Sequence, residues 1–219
     1  MEEVTQKEQA YTMPRIGDKA PDFEVMTTQG MLKLSDYNKG NWVVMFSHPA
    51  DFTPVCTTEM SAFAEEKEWF ESQNTKLIGL SIDSIHSHIA WVANVKERTG
   101  IYMDFPIIAD LDMHVAKLYG MLHPGEASTA AVRAVFFMDP EGIIRLIMYY
   151  PLNIGRNMDE IKRALVALQT ADTNGVACPV NWRKGDKVIV PPPKTLKDYE
   201  ATENMEGDKT DFYLIKRDL

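Results

Sequence analysis

The sequence predicts an α/β protein built on a central mixed sheet flanked by helices, with a C-terminal extension. Three observations carry that prediction. The apolar runs "NWVVMFS" and "KLIGLSI" have strand length and suit strands buried on both faces. Each is followed by a stretch in which apolar residues recur at helical spacing, giving the order strand, helix, strand, helix. Later, "AVRAVFFMD" and "IIRLIMYY" flank the turn "PEG" as an antiparallel hairpin, with an amphipathic helix after it. Parallel βα units closed by an antiparallel ββα end make the sheet mixed.

Taken in order, "DFEVMTTQGMLKLSDY" has short extended runs on either side of Gly30 and predicts a hairpin leading into the domain. Residues 41–47 form the first buried strand. Cys56, Met60, Phe63, Ala64 and Phe70 follow at helical spacing, with Pro54 acceptable in the first turn, so Cys56 stands where a helix begins. Lys76 to Ile82 is the second buried strand, and Asp83 or Ser84 caps the helix "IHSHIAWVANVKERT", which stops at Gly100. "FPIIAD" predicts a short strand before the helical "DMHVAKLYG". Beyond the hairpin, "MDEIKRALVALQTAD" puts Ile161, Ala164, Leu165 and Leu168 on one face. This order is that of the thioredoxin-like fold, which by itself assigns no chemistry. The predicted domain covers residues 1–175. Beyond Gly175 a Pro run, many charges and little periodicity mark residues 176–219 as an extension that packs on the domain or on a partner subunit.

Composition excludes several function classes. Lys and Arg number 23 against 32 Asp and Glu, and the formal net charge of -9 opposes binding to nucleic acid or anionic lipid. The acidic N-terminus "MEEVTQKEQAYTMP" lacks the apolar core of a secretory signal, and no stretch reaches the roughly 18 uninterrupted apolar residues of a spanning helix. A cytoplasmic protein without membrane partners is the expectation. Two cysteines, Cys56 and Cys178, are too few for a disulfide framework, form no CxxC pair and lack the clustered ligands of a zinc site.

A cysteine at a helix N-terminus meets unpaired N–H groups and the positive end of the helix dipole, which favour its thiolate. Cys56 is therefore placed to be reactive, although a buried small hydrophobe is the commoner fate of a lone cysteine. Its company shifts the balance. Pro49, Thr53 and Cys56 make the spacing P-x-x-x-T-x-x-C, and "HPADFTPVCTTE" resembles the active-site loop of the peroxiredoxins of AhpC/TSA type. "GDKAPDF", "VRAVFFMDP" and "GRNMDEI" extend the resemblance along most of the chain. His48 and the tail "PVNWRKGDKVIVPPP" point to the one-cysteine subfamily.

The resemblance implies an antioxidant thiol peroxidase. The Cys56 thiolate attacks one oxygen of hydrogen peroxide or an organic hydroperoxide, leaving a sulfenic acid on Cys56 and releasing water or an alcohol, with no metal or organic cofactor. It assigns the Thr53 hydroxyl to the sulfur and the peroxide, Pro49 to shielding the site from water, and Arg133 to stabilising thiolate and orienting peroxide. Arg156 supports them through Glu59. Arg133 also stands out without any resemblance: it interrupts a strand apolar on both faces, where an unpaired guanidinium costs several kcal/mol. It needs an anionic partner, and Cys56 and Glu59 are the candidates. An ordinary helix cap for Thr53 and a surface arginine for Arg156 are the competing readings. His48 could tune the pocket or a proton path, but a lone histidine beside a strand is more often structural.

Cys178 is a candidate resolving thiol only on general chemistry, since a sulfenate can be resolved by any thiol that reaches it. The subfamily does not usually use one there, so Cys178 is expected to be non-catalytic. Electrons then come from thioredoxin, a glutaredoxin or a small thiol such as glutathione. The resemblance further implies a homodimer or a decamer of five dimers. Some animal relatives carry a lipase-type G-x-S-x-G ahead of this loop; here Asn41 stands in place of the serine, so no phospholipase activity is expected. Three alternatives remain: a thioredoxin-type dithiol oxidoreductase, which needs a nearby second cysteine; a cysteine hydrolase pairing Cys56 with His48 or His123; and a scaffold without turnover.

Overall fold

The computed structural model describes residues 13–219; most of the acidic N-terminal stretch, residues 1–12, lies outside the described residues. The chain divides into two compact units, the first ending at Arg156 and the second running from Asn157 to Leu219.

In the first unit the predicted hairpin is β1 (Glu24–Thr27) paired antiparallel with β2 (Gly30–Lys33). Gly30 has φ +99°, a backbone that residues with a Cβ rarely adopt, and the Thr27 hydroxyl donates to Gly30 O across the turn (2.8 Å). A short helix, α1 (Leu34–Asn38), leads to β3 (Trp42–Ser47), whose six residues are all buried. Next come α2 (Pro54–Glu65) and α3 (Lys67–Ser72). The sequence predicts one helix here. Glu66 (φ -93°, ψ 2°) interrupts it, and Phe70 is buried from the second segment, its ring centroid 6.2 Å from that of Phe63.

β4 (Thr75–Ser81) runs parallel to β3, and α4 (Ile85–Thr99) follows. The choice of cap falls to Ser84, whose hydroxyl accepts from Ser87 N (3.2 Å), while Gly100 closes the helix at φ +79°. β5 (Ile107–Ala109) pairs parallel with β4. It is followed by α5 (His114–Leu118), whose early amides are taken by the buried Asp110 carboxylate: Val115 N at 2.9 Å and Ala116 N at 2.7 Å. β6 (Arg133–Met138) and β7 (Ile144–Tyr150) form the predicted hairpin. The sheet order is β2-β1-β5-β4-β3-β6-β7, mixed as expected: β5, β4 and β3 are parallel, and β6 lies antiparallel against β3. Both buried runs lie centrally, where neighbouring strands pair them on either side.

The second unit opens with α6 (Met158–Asn174), capped by the Asn157 side chain on Glu160 N (3.1 Å) and closed at Gly175. Ile161, Ala164 and Leu165 are buried and Leu168 half-buried. The chain beyond Gly175 is more ordered than its sequence suggests. β8 (Val188–Ile189), α7 (Leu196–Thr202), β9 (Asp208–Asp211) and β10 (Leu214–Arg217) include a three-stranded sheet of order β8-β10-β9. Strands of two to four residues are too short for alternation to register, and all four residues of β9 are exposed. Val176, Trp182 and Val188 form a small core of their own. No helix among the described residues is long and apolar enough to cross a membrane.

Candidate active site

The loop joining β3 to α2 brings the Cys56 thiol to a helix end. His48 N donates to Leu80 O (2.9 Å), carrying the β3 pairing one residue further before Pro49 ends it. Phe52, 56% exposed, sits at φ +55°, a left-handed conformation costing a side-chain-bearing residue roughly 1–3 kcal/mol. Thr53 is extended (φ -108°, ψ 150°) and is the N-cap, with Pro54 as the first helical residue, so Cys56 lies in the first turn. The Thr53 hydroxyl makes no cap hydrogen bond. It donates to Ala50 O (2.8 Å), so its single proton is engaged and it offers its neighbours lone pairs.

Cys56 is fully buried, but its sulfur is not confined to hydrocarbon. Arg133 Nη1 donates to Sγ at 3.4 Å and to Glu59 Oε2 at 2.6 Å. The rest of that guanidinium is anchored on Leu152 O, through Nε (2.9 Å) and Nη2 (2.7 Å). Arg156 meets the same carboxylate from the loop that follows β7: Nε to Oε1 (2.9 Å), Nη2 to Oε2 (2.7 Å) and the backbone N to Oε1 (2.8 Å). Its Nη1 donates to Ser47 O (2.9 Å) and Ala134 O (3.0 Å), and its guanidinium lies 5.5 Å from the ring centroids of both Phe46 and Phe63. Burial alone would raise the Glu59 carboxyl; Arg156 and then Arg133 outweigh it and hold the group below its ordinary value. Two buried guanidinium groups thus face one carboxylate, and the cluster carries one surplus positive charge unless the adjacent sulfur is ionised.

A second buried cluster occupies the same loop. His48 Nε2 lies 2.9 Å from Asp51 Oδ1, and His88 Nδ1 lies 2.8 Å from Asp51 Oδ2. His48, Asp51 and Asp83 also place one ligand-type atom each within 4.8 Å of one another. Those groups already have partners: Asp51 holds both imidazoles, and Asp83 Oδ2 accepts from Asp51 N (3.0 Å) and Ser81 Oγ (2.6 Å).

Comparison with known proteins meets this geometry with a family. Residues 16–147 match the AhpC/TSA family, and residues 167–204 match the C-terminal domain of 1-Cys peroxiredoxin. Over 204 residues the chain is 56% identical to "Peroxiredoxin 2" of Caldanaerobacter subterraneus subsp. tengcongensis, covering 92% of each. The chain is a peroxiredoxin. It is of the one-cysteine type: it is similar to the solved yeast mitochondrial 1-Cys peroxiredoxin (TM-score 0.86, 42% identity, 94% of this chain and 100% of that one). It also resembles a cysteine-to-serine mutant of peroxiredoxin 6 of Arenicola marina (TM-score 0.85, 35% identity, 94% and 98% covered).

Of the residues singled out by sequence, this peroxiredoxin brings Cys56, Glu59, Arg133 and Arg156 into one hydrogen-bonded cluster. Thr53 and the half-buried Pro49 share the loop leading to it. His48 is buried with Asp51 as partner, and the His123 ring lies 5.1 Å from that of Tyr149. Cys178 belongs to the second unit, where its Sγ donates to Ala167 O (3.5 Å); burial pushes its thiol up, with Arg163 opposing. Both cysteines are free thiols. Sequence reasoning missed Asp51, His88 and the Leu152 carbonyl. Asp51 had one legible signal, a charge three residues after His48; Leu152 acts through its backbone and leaves no trace in residue type.

Proposed function

We propose that Cys56 is the peroxidatic thiol of this thiol-dependent peroxidase, reducing hydrogen peroxide and organic hydroperoxides through a sulfenic acid. The observation that carries the assignment is Arg133 Nη1 bridging Cys56 Sγ and Glu59 Oε2 at 3.4 and 2.6 Å. A helix N-terminus and a surplus guanidinium charge both favour ionised sulfur, and the same Arg133 donor can follow negative charge onto the peroxide oxygens as the O–O bond breaks. Arg156 acts through Glu59, keeping its carboxylate turned to both arginines. Thr53, whose hydroxyl offers lone pairs, accepts a hydrogen bond from the incoming peroxide, and Pro49 limits water access. No metal or organic cofactor takes part.

The sulfenic acid returns to thiol through an external reductant, which we assign to thioredoxin, a glutaredoxin or a small thiol; the similar yeast mitochondrial 1-Cys peroxiredoxin is resolved via glutathione/thioredoxin systems. Cys178, a raised thiol beside Ala167 O, is not the resolving group. We further propose a cytoplasmic homodimer, able to assemble as five dimers, with residues 176–219 as the extension of a domain ending near residue 175. The test is direct: stoichiometric hydrogen peroxide added to reduced protein should give a trappable sulfenic acid at Cys56 in a fast second-order reaction, absent in Cys56→Ser. Oxidation at the pace of a free small thiol would reject the assignment.

A further inference from the structure

Ser47 ends the apolar run of β3 and is fully buried. A hydroxyl there is costly unless its hydrogen bonds are made, and Ser47 uses it in both directions. Its Oγ donates to Val132 O (2.5 Å) and accepts from Ala134 N (3.1 Å). Those two atoms belong to the peptide groups on either side of one residue, Arg133, the first of β6. Ala134 N also donates to Val132 O (3.0 Å), which closes a three-residue turn with Arg133 at its centre. A hydroxyl both donates and accepts through one atom, as joining the two ends of that turn requires. The β3–β6 register runs as far as Phe46 against Val135, and one step further would set Ser47 against Ala134. At that step Arg156 Nη1 donates to the carbonyl oxygens of both, Ser47 at 2.9 Å and Ala134 at 3.0 Å.

We propose that Ser47 is a positioning residue of the peroxidase site: its hydroxyl fixes the backbone turn from which Arg133 reaches Cys56 Sγ, while its carbonyl helps hold Arg156 on Glu59. The proposal rests on the peroxidase reading. Leu152 O and Glu59 Oε2 anchor the far end of the Arg133 side chain and leave Nη1 3.4 Å from Sγ. Ser47 anchors the near end, because the peptide groups it ties together set the direction in which the side chain leaves the backbone. With both ends held, the Arg133 donor keeps its place as negative charge moves from sulfur to the peroxide oxygens. Such placement matters: a displacement of about 1 Å in a site of this kind costs about 100-fold in rate. Without the hydroxyl, the turn around Arg133 is left with its own contact between Ala134 N and Val132 O.

The first experiment follows the Ser47 hydroxyl proton by NMR in reduced, full-length protein without peroxide. It should exchange slowly with water and show a through-space contact to the Ala134 amide; a hydroxyl that exchanges freely overturns the proposal whether or not any variant folds. The second measures Cys56 oxidation by hydrogen peroxide across pH in a double-mutant cycle. Ser47→Ala should slow the reaction by about 10- to 100-fold and change its pH profile. Added to Arg133→Met, the same substitution should cost less than about threefold more, because the side chain it positions is gone. A full repeat of the loss in the Arg133→Met protein would mean that Ser47 acts on something other than Arg133, and the proposal would fall. A folded Ser47→Ala protein with the parent's rate and pH profile would end it too, and both results leave the peroxidase reading intact. Slow oxidation of the unsubstituted protein would instead remove that reading.

Discussion

Replacing Arg133 with methionine removes a guanidinium from a strand that readily accepts an apolar side chain, and the geometry sets the size of the effect. Nη1 lies 3.4 Å from Sγ, where two unit charges interact by about 5 kcal/mol at an effective dielectric near 20. Arg156 stays in the cluster and recovers part of that, so the loss in the transition state is about 3–4 kcal/mol, or roughly 100- to 1,000-fold in rate. The charge balance points the same way. Without Arg133, Glu59 and Arg156 neutralise each other, and an ionised Cys56 becomes a buried anion without a counter-charge. The assay is stopped-flow tryptophan fluorescence during oxidation by hydrogen peroxide, with Trp91 6.4 Å from the Phe52 ring of the active-site loop. Arg133→Lys should fall between methionine and the parent, because an ammonium restores charge but cannot serve Leu152 O, Sγ and Glu59 together. A folded Arg133→Met protein reacting within about tenfold of the parent would refute this reasoning.

Glu59→Gln strands two buried guanidinium groups and should lower unfolding stability in urea by about 3–5 kcal/mol. Because the folded Glu59 carboxyl lies below its ordinary value of 4.5, its stabilisation is present above that pH and is lost as pH falls through the lower folded value. The parent should therefore weaken on acidification below 4.5 more steeply than Glu59→Gln, as read from urea midpoints at successive pH values. Gly142→Ala should destabilise by more than about 1 kcal/mol, since φ is +74° and the added Cβ would stand 2.7 Å from Asn38 Oδ1; chemical denaturation checks it. Cys178→Ser should form the Cys56 sulfenic acid at an unchanged rate, and mapping after peroxide treatment should find no obligatory Cys56–Cys178 disulfide in the parent.

Local pattern was a good guide wherever burial is two-sided or a motif is contiguous. β3 and β4 are continuous apolar runs, and the Gly30 and Gly142 turns are marked by residues that tolerate positive φ. The internal order of the extension was not legible, because its strands are too short to show a period and part of its order comes from isolated contacts such as Trp182 Nε1 donating to Asp186 O (3.0 Å). Thr53 shows a subtler limit. Its place as N-cap is legible from Pro54 onward, but whether its hydroxyl turns to the helix or to Ala50 O depends on the path of a loop that passes through a left-handed Phe52.

By itself the sequence determined that a thiol would stand at the start of a helix behind a buried strand, and that a charged residue inside β6 would require an anion. Both follow from residue type and from contacts a few positions apart. Only the tertiary structure decided which anion: Arg133 is 77 residues from Cys56 and 74 from Glu59, and Arg156 is 97 from Glu59. The pairing of β6 against β3 brings Arg133 to the Cys56 end of the sheet, and no periodicity encodes that register. The same holds for His88, which reaches Asp51 across 37 residues because α4 packs its first turn beside the loop.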